Sequence, residues 1–126
     1  MSQMHVLLID DEDDIREVAA LSLQAIGGWK VSTANGGQAG IALACAARPD
    51  VIVLDVMMPD VDGPTTLRRL QADARTRGIP VIFLTAKAQS ADLRGFARLG
   101  AAGTLTKPFD PMTLTDQITT ILTREG

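Results

Sequence analysis

Five residues have the types and the spacing to do chemistry together: Asp10, Asp11, Asp55, Thr85 and Lys107. Each pair or single residue directly follows or closes a short apolar run, and each run is short enough to be a buried β-strand. The clearest case is Val51–Leu54, an unbroken β-branched and aliphatic stretch that stops at Asp55, with Pro59 and Gly63 marking a loop beyond it. A carboxylate in that position can serve simply to turn or cap the chain. It also stands where open α/β sheets place their chemistry, outside the carboxyl ends of the strands. Three carboxylates, a hydroxyl and an ammonium at one edge are a demanding combination. Carboxylates about 4 Å apart repel by roughly 4 kcal/mol per pair at an effective dielectric of ~20. Lys107 alone does not offset three of them, so a divalent cation is the economical remedy. An oxygen-only set with open positions suits Mg²⁺ better than zinc, and one histidine and one cysteine are too few for an ordinary zinc site.

The elements that must bring these residues together alternate along the chain. Val6–Ile9 is the first strand, and the acidic run Asp10–Asp14 follows it. Asp14 and Glu17 have the spacing of a capping box, and Ile15, Val18, Leu21 and Ala25 then recur at helical spacing until Gly27-Gly28. Lys30–Ala34 is a second strand, Asn35-Gly36-Gly37 a turn, and Ala39–Ala47 an alanine-rich helix closed by Arg48-Pro49. After the third strand, Pro64 suits a first helical turn, with Leu67 and Leu70 as anchors. Val81–Leu84 is a fourth strand. Ser90 or Asp92 begins a helix that faces Leu93, Phe96, Ala97 and Leu99 inward. Thr104–Thr106 is a weak, edge-like strand, and the last helix, Pro111–Arg124, lines up Leu114, Ile118, Ile121 and Leu122. Five strands alternating with five helices predict an α/β fold, a parallel sheet covered on both faces. All five strands then point the same way and deliver their terminal polar residues to one edge.

Size and composition agree with one domain, residues 1–126, without a separate output domain. The 126 residues are 46% hydrophobic, which argues against disorder. A net charge of −3 and the lack of a basic run argue against direct nucleic-acid binding. Met1–His5 lacks the regions of a leader peptide, no apolar run reaches membrane-spanning length, and the single Cys45 fits a reducing, cytoplasmic setting. Glu12, Asp13 and Asp14 read as a solvated helix start, His5 as a bystander, Cys45 as a small buried residue and Trp29 as packing.

Four pieces of the chain carry a resemblance: Leu8-Ile9-Asp10-Asp11, Leu54-Asp55-Val56-Met57-Met58-Pro59 with Gly63, Leu84-Thr85-Ala86, and Leu105-Thr106-Lys107-Pro108-Phe109. In this order and spacing the chain resembles a response-regulator receiver domain from about Val6 to the last helix. The resemblance implies a flavodoxin-like (βα)5 three-layer sandwich with strand order 2-1-3-4-5. It implies that Asp55 accepts a phosphoryl group from phosphohistidine on a sensor histidine kinase or histidine phosphotransfer protein. Asp10, Asp11, Asp55 and the backbone carbonyl of Met57 would hold Mg²⁺ (or Mn²⁺), Thr85 and Lys107 would bind phosphoryl oxygens, and the Lys107-Pro108 bond would be cis. Output would be contact with an unidentified downstream protein through the face of the fourth helix, fifth strand and fifth helix. Met57 and Lys87, two residues beyond Asp55 and Thr85, would flank the mouth of the site and tune the lifetime of the phosphoaspartate.

One position departs from the family pattern. Its switch aromatic, three residues before the lysine, is Thr104 here, and the chain has no tyrosine. A vacancy beside the fifth strand is the expected consequence, open to a partner's side chain or allowing looser coupling. Thr104→Tyr is then expected to change partner affinity and leave Asp55 phosphorylation intact. Three other functions compete with this reading. A haloacid-dehalogenase-like phosphatase needs a second Asp where Met57 stands. A flavin or nucleotide binder needs a glycine-rich loop where the five acids stand. An unphosphorylated scaffold of the same fold is compatible with the sequence.

Overall fold

The computed structural model describes residues 3–87 and 89–125. Met1 and Ser2, part of the stretch read for a leader, and Gly126 at the other end lie outside them. The elements run β1 (His5–Ile9), α1 (Asp13–Ala25), β2 (Lys30–Ala34), α2 (Gly37–Ala47), β3 (Val51–Asp55), α3 (Gly63–Ala72), β4 (Val81–Thr85), α4 (Ser90–Arg98), β5 (Gly103–Thr106) and α5 (Leu114–Glu125). The sheet is parallel throughout, in the order β2-β1-β3-β4-β5. This is the predicted flavodoxin-like architecture.

Register, rather than mere direction, lines up the strand ends. Ile9 pairs with Leu54, which sets Asp10 beside Asp55. Asp55 pairs with Leu84, and Thr85 with Thr106, so Lys107 lies one residue past the end of β5. Side chains alternate across a sheet with period two. Val6, Leu8, Val51, Val53, Ile82, Leu84 and Leu105 face a core shared with Ala19, Leu23, Leu114 and Ile118 of α1 and α5. Leu7, Ile9, Ile52, Leu54, Val81 and Phe83 face the other core, against α2 and α3. Asp10, Asp55 and Lys107 continue the parity of Leu8, Val53 and Leu105, whereas Thr85 continues that of Phe83. The three charged residues therefore leave the sheet on one side by the same arithmetic that buries the core.

Several helix boundaries and faces differ from the sequence reading. The first helix begins at Asp13 with Glu12 as its N-cap, and no side chain caps it. Asp14 is thus inside the first turn rather than at a capping box. The reason lies upstream: Asp10 Oδ1 accepts the Glu12 N–H at 2.8 Å and turns the chain into the helix early. The face that α1 buries is Ala19, Ser22 and Leu23, with Ile15 packed beside it, while Val18 and Leu21 are exposed. Both faces satisfy a helical repeat. Ser22 decides between them, donating its hydroxyl to the carbonyl of Pro111 ahead of α5. The fifth helix starts at Leu114 instead of Pro111, because Asp110 holds residues 111–113 as a turn through the Met112 N–H.

The α4 helix is the larger correction. None of its residues is buried, and Leu93, Ala97 and Leu99 are exposed rather than inward. Phe96 is its main anchor, edge-on to Phe83 with ring centroids 4.9 Å apart. Cys45 is half-buried, its thiol 3.6 Å from Asp73 Oδ2, and Trp29 packs against the α1–α5 core. Among the described residues no helix is long and apolar enough to cross a membrane.

Candidate functional site

The loop after β3 is shaped before it does any chemistry. Asp62 caps α3 by accepting the Thr65 N–H at 2.8 Å, and Pro64 occupies the first turn. Gly63 donates to the Val56 carbonyl at 2.8 Å. A Cβ at Gly63 would lie 2.7 Å from the Asp55 carbonyl oxygen and from Val56 Cα. Only glycine allows this approach, and it folds the loop back so that Asp55 stands at its root.

Asp10, Asp11 and Asp55 each offer an oxygen, and the three oxygens lie within 4.8 Å of one another. Asp10 and Asp55 are buried and Asp11 is exposed, so the cluster opens outward through Asp11. Lys107 Nζ lies 3.0 Å from Asp10 Oδ2 and 3.2 Å from Asp55 Oδ1. Thr85 is buried, and its Oγ1 accepts the Lys87 N–H at 3.0 Å. Asp55 Oδ1 accepts a long hydrogen bond of 3.4 Å from the Met57 N–H. The Lys107-Pro108 peptide bond is cis. Glu12, Asp55, Met57, Thr85, Ala86, Lys87 and Lys107 line a cleft of about 200 Å³ above the sheet edge.

The charges perturb one another. Burial, and then the charge of Asp10, push the Asp55 carboxyl up to about 6 from its ordinary 3.8, while Lys107 and the Met57 N–H pull it partly back. Burial works against the Lys107 ammonium, but Asp10, Asp55 and Glu12 more than compensate and raise it above the ordinary lysine range. Two buried carboxylates with one shared cation remain under-compensated. Asp10 Oδ2 is buried 3.0 Å from Lys107 Nζ, the same ammonium that serves Asp55. Three clustered carboxylates that share a single ammonium, all of them oxygen donors, suit a hard divalent cation, and the residues fit Mg²⁺.

Two site residues were not anticipated. Glu12 is not simply solvated: its Oε1 accepts a hydrogen bond from Lys107 Nζ at 3.2 Å. Its place one residue after Asp11 was the available signal, hidden in a run of five acids. Arg16, one turn into α1, donates from Nη1 to the Asp10 carbonyl at 2.7 Å and pairs with Asp13. It ties the β1–α1 turn to the helix. Thr104 lies apart from the cleft. It borders one hollow of about 320 Å³ with Gln117, Thr120 and Ile121, and another of about 240 Å³ with Leu93 and Ala97.

A family model described as the response regulator receiver domain matches residues 6–119. The chain belongs to this family. Accepting a phosphoryl group is the standard function of such receivers, which bind Mg²⁺ at an acidic cluster of the kind formed here by Asp10, Asp11 and Asp55. Among solved structures, the receiver is similar to the chemotaxis response regulator CheY4 of Vibrio cholerae, with a TM-score of 0.89 and 32% identity over 95% of this chain and 99% of that one. It is 38% identical to Protein PilH of Pseudomonas aeruginosa over 117 residues, 93% of this chain and 96% of PilH. It is 42% identical over 120 residues to the DNA-binding dual master transcriptional regulator RpaA of Synechocystis, covering 94% of this chain and 49% of RpaA. The receiver thus spans about half the length of several curated relatives it matches, RpaA among them.

Proposed function

We propose that Asp55 is the phosphoacceptor of this receiver and that its donor is phosphohistidine on a histidine kinase or phosphotransfer protein. The observation that carries the reading is the grouping of Asp10, Asp11 and Asp55 oxygens within 4.8 Å of one another, with Lys107 3.2 Å from Asp55. Asp10, Asp11, Asp55 and the Met57 carbonyl would hold Mg²⁺. When bound, that ion supplies charge neutralisation for the incoming phosphoryl oxygens. An Asp55 oxygen forms the new O–P bond as the N–P bond of the donor breaks, and the histidine nitrogen keeps the electron pair. Lys107 and the Thr85 hydroxyl would bind the phosphoryl oxygens, which carry the charge of a loose transition state. Attack of water on phosphorus would later return free Asp55 and inorganic phosphate, so the domain assists its own loading and unloading. Incubation with acetyl phosphate should add one phosphate by intact mass in the presence of Mg²⁺ and none after chelation. Equal labelling with and without Mg²⁺ would overturn the metal assignment.

Unloading is where Met57 enters. Met57 is 69% exposed and lines the cleft together with Lys87. A thioether is only a weak acceptor and cannot orient an attacking water. The Met57→Asn phosphoprotein is therefore expected to decay several-fold faster than wild type in the same Mg²⁺ buffer. A faster wild type would refute this role.

We further propose that phosphorylation alters the face of α4, β5 and α5 without an aromatic at position 104. The paired hollows at Thr104 and the shallow seating of α4 support a loosely coupled switch. Thr104→Tyr is expected to keep the Asp55 phosphorylation rate within about twofold of wild type. By filling the hollow beside Leu93 and Ala97 it should also slow amide exchange in α4. Unchanged exchange would show that the hollow does not govern α4.

A further inference from the structure

Lys107 has three N–H donors and three carboxylate neighbours, but they are not equivalent. Asp10 Oδ2 at 3.0 Å and Asp55 Oδ1 at 3.2 Å are buried beneath the ammonium, whereas Glu12 Oε1, also at 3.2 Å, reaches it from an exposed side chain. Glu12 is also the N-cap of α1, a position that favours Ser, Thr, Asp or Asn. Its side chain makes no capping bond there. Its main chain is nevertheless fixed on both sides: the N–H donates to Asp10 Oδ1 at 2.8 Å, and the carbonyl accepts the Arg16 N–H at 3.1 Å. The carboxylate is thus anchored at the rim of the cleft, more than half exposed, with Lys87 also on the lining.

We infer that Glu12 is a counter-ion latch on Lys107 that disfavours small dianionic phosphodonors, a reading that rests on Asp55 being the phosphoacceptor. A donor such as acetyl phosphate must bring its charge past the Glu12 carboxylate. It must also draw Lys107 off Glu12 before the ammonium can serve the phosphoryl oxygens. Transfer then forms the bond from Asp55 oxygen to phosphorus as the bond from phosphorus to acetate oxygen breaks, and acetate leaves with the electron pair. A protein donor can offset this repulsion through contacts outside the cleft. A free small molecule cannot. Glu12 acts through Lys107 and through its field, so it is a positioning and selectivity residue rather than a catalytic one.

The test compares wild type and Glu12→Gln in Mg²⁺ with two donors, dianionic acetyl phosphate and the less negatively charged phosphoramidate. Glutamine keeps the size and an acceptor oxygen while removing the charge. At low salt the variant should react about 3–10-fold faster with acetyl phosphate, and less so with phosphoramidate. The advantage should shrink as salt is raised. A purely structural role would shift both donors alike and would not depend on salt. No acceleration, or an equal one for both donors at all salt concentrations, overturns the latch. Labelling of wild type that is lost in Asp55→Asn, with no acceleration in E12Q, removes the latch and leaves the phosphoacceptor standing. Failure of both wild type and E12Q to label with either donor removes both.

Discussion

Lys107→Met is expected to slow phosphoryl transfer to Asp55 by about 100- to 1000-fold at saturating Mg²⁺, the range seen when one preorganised donor to a developing charge is removed. The ammonium sits 3.0–3.2 Å from Asp10, Glu12 and Asp55, and methionine keeps much of its length without the charge. Two consequences follow. The phosphoryl oxygens lose a ligand that stabilises them in the transition state. Without metal, Asp55 also loses a partner that pulls its carboxyl back toward the ordinary range. Bound Mg²⁺ would favour the ionised carboxylate in both proteins, so raising the pH at saturating Mg²⁺ should recover little of the loss. Single-turnover labelling across pH 6–9 separates the two. Full recovery at high pH would mean that Lys107 merely sets the ionisation of Asp55, and a wild-type rate in the variant would remove it from the reaction.

The second large effect concerns stability. In the metal-free fold Asp55 titrates near 6, whereas its ordinary value is 3.8. Between those values the folded chain binds more protons than the unfolded chain, so stability falls as pH rises through the window. Above about pH 6 the charged carboxylate costs the fold its full penalty, and below about pH 4 it costs nothing. Two pH units correspond to roughly 3 kcal/mol. Without metal, Asp55→Asn is therefore expected to be more stable than wild type by roughly 2–3 kcal/mol at pH 7.5, and indistinguishable near pH 3.5. Mg²⁺ should stabilise wild type more than the variant, which lacks one ligand. Urea melts at several pH values, with and without Mg²⁺, measure both differences. A gain that does not vary with pH would place its source in packing instead of charge.

Much of this site is legible in the sequence because β3 and β4 are continuous apolar runs that end on Asp55 and Thr85. A parallel sheet then leaves their polar ends nowhere to go but one edge. The register that brings Asp10 level with Asp55, and the parity shared by Leu8, Val53 and Leu105, were implicit in the same runs. What the sequence hid depended on competition between near-equal local options. Glu12, Asp13 and Asp14 are all plausible helix starts, and the Asp10 side chain chose among them. Val18 and Leu21 fit a helical stripe as well as Ala19 and Leu23 do, until Ser22 meets Pro111. The α4 helix has inward-looking apolar residues on paper, but a single edge-on contact between Phe96 and Phe83 holds less than a full seam would. Glu12 escaped notice because nothing in a run of acids marks the one whose side chain reaches a lysine 95 positions away.

The most direct measurement is the intact mass of wild type and of Asp55→Asn after exposure to acetyl phosphate and Mg²⁺. One added phosphate on wild type and none on the variant is the predicted result. A variant that gains phosphate as readily as wild type would place the acceptor elsewhere and contradict the account.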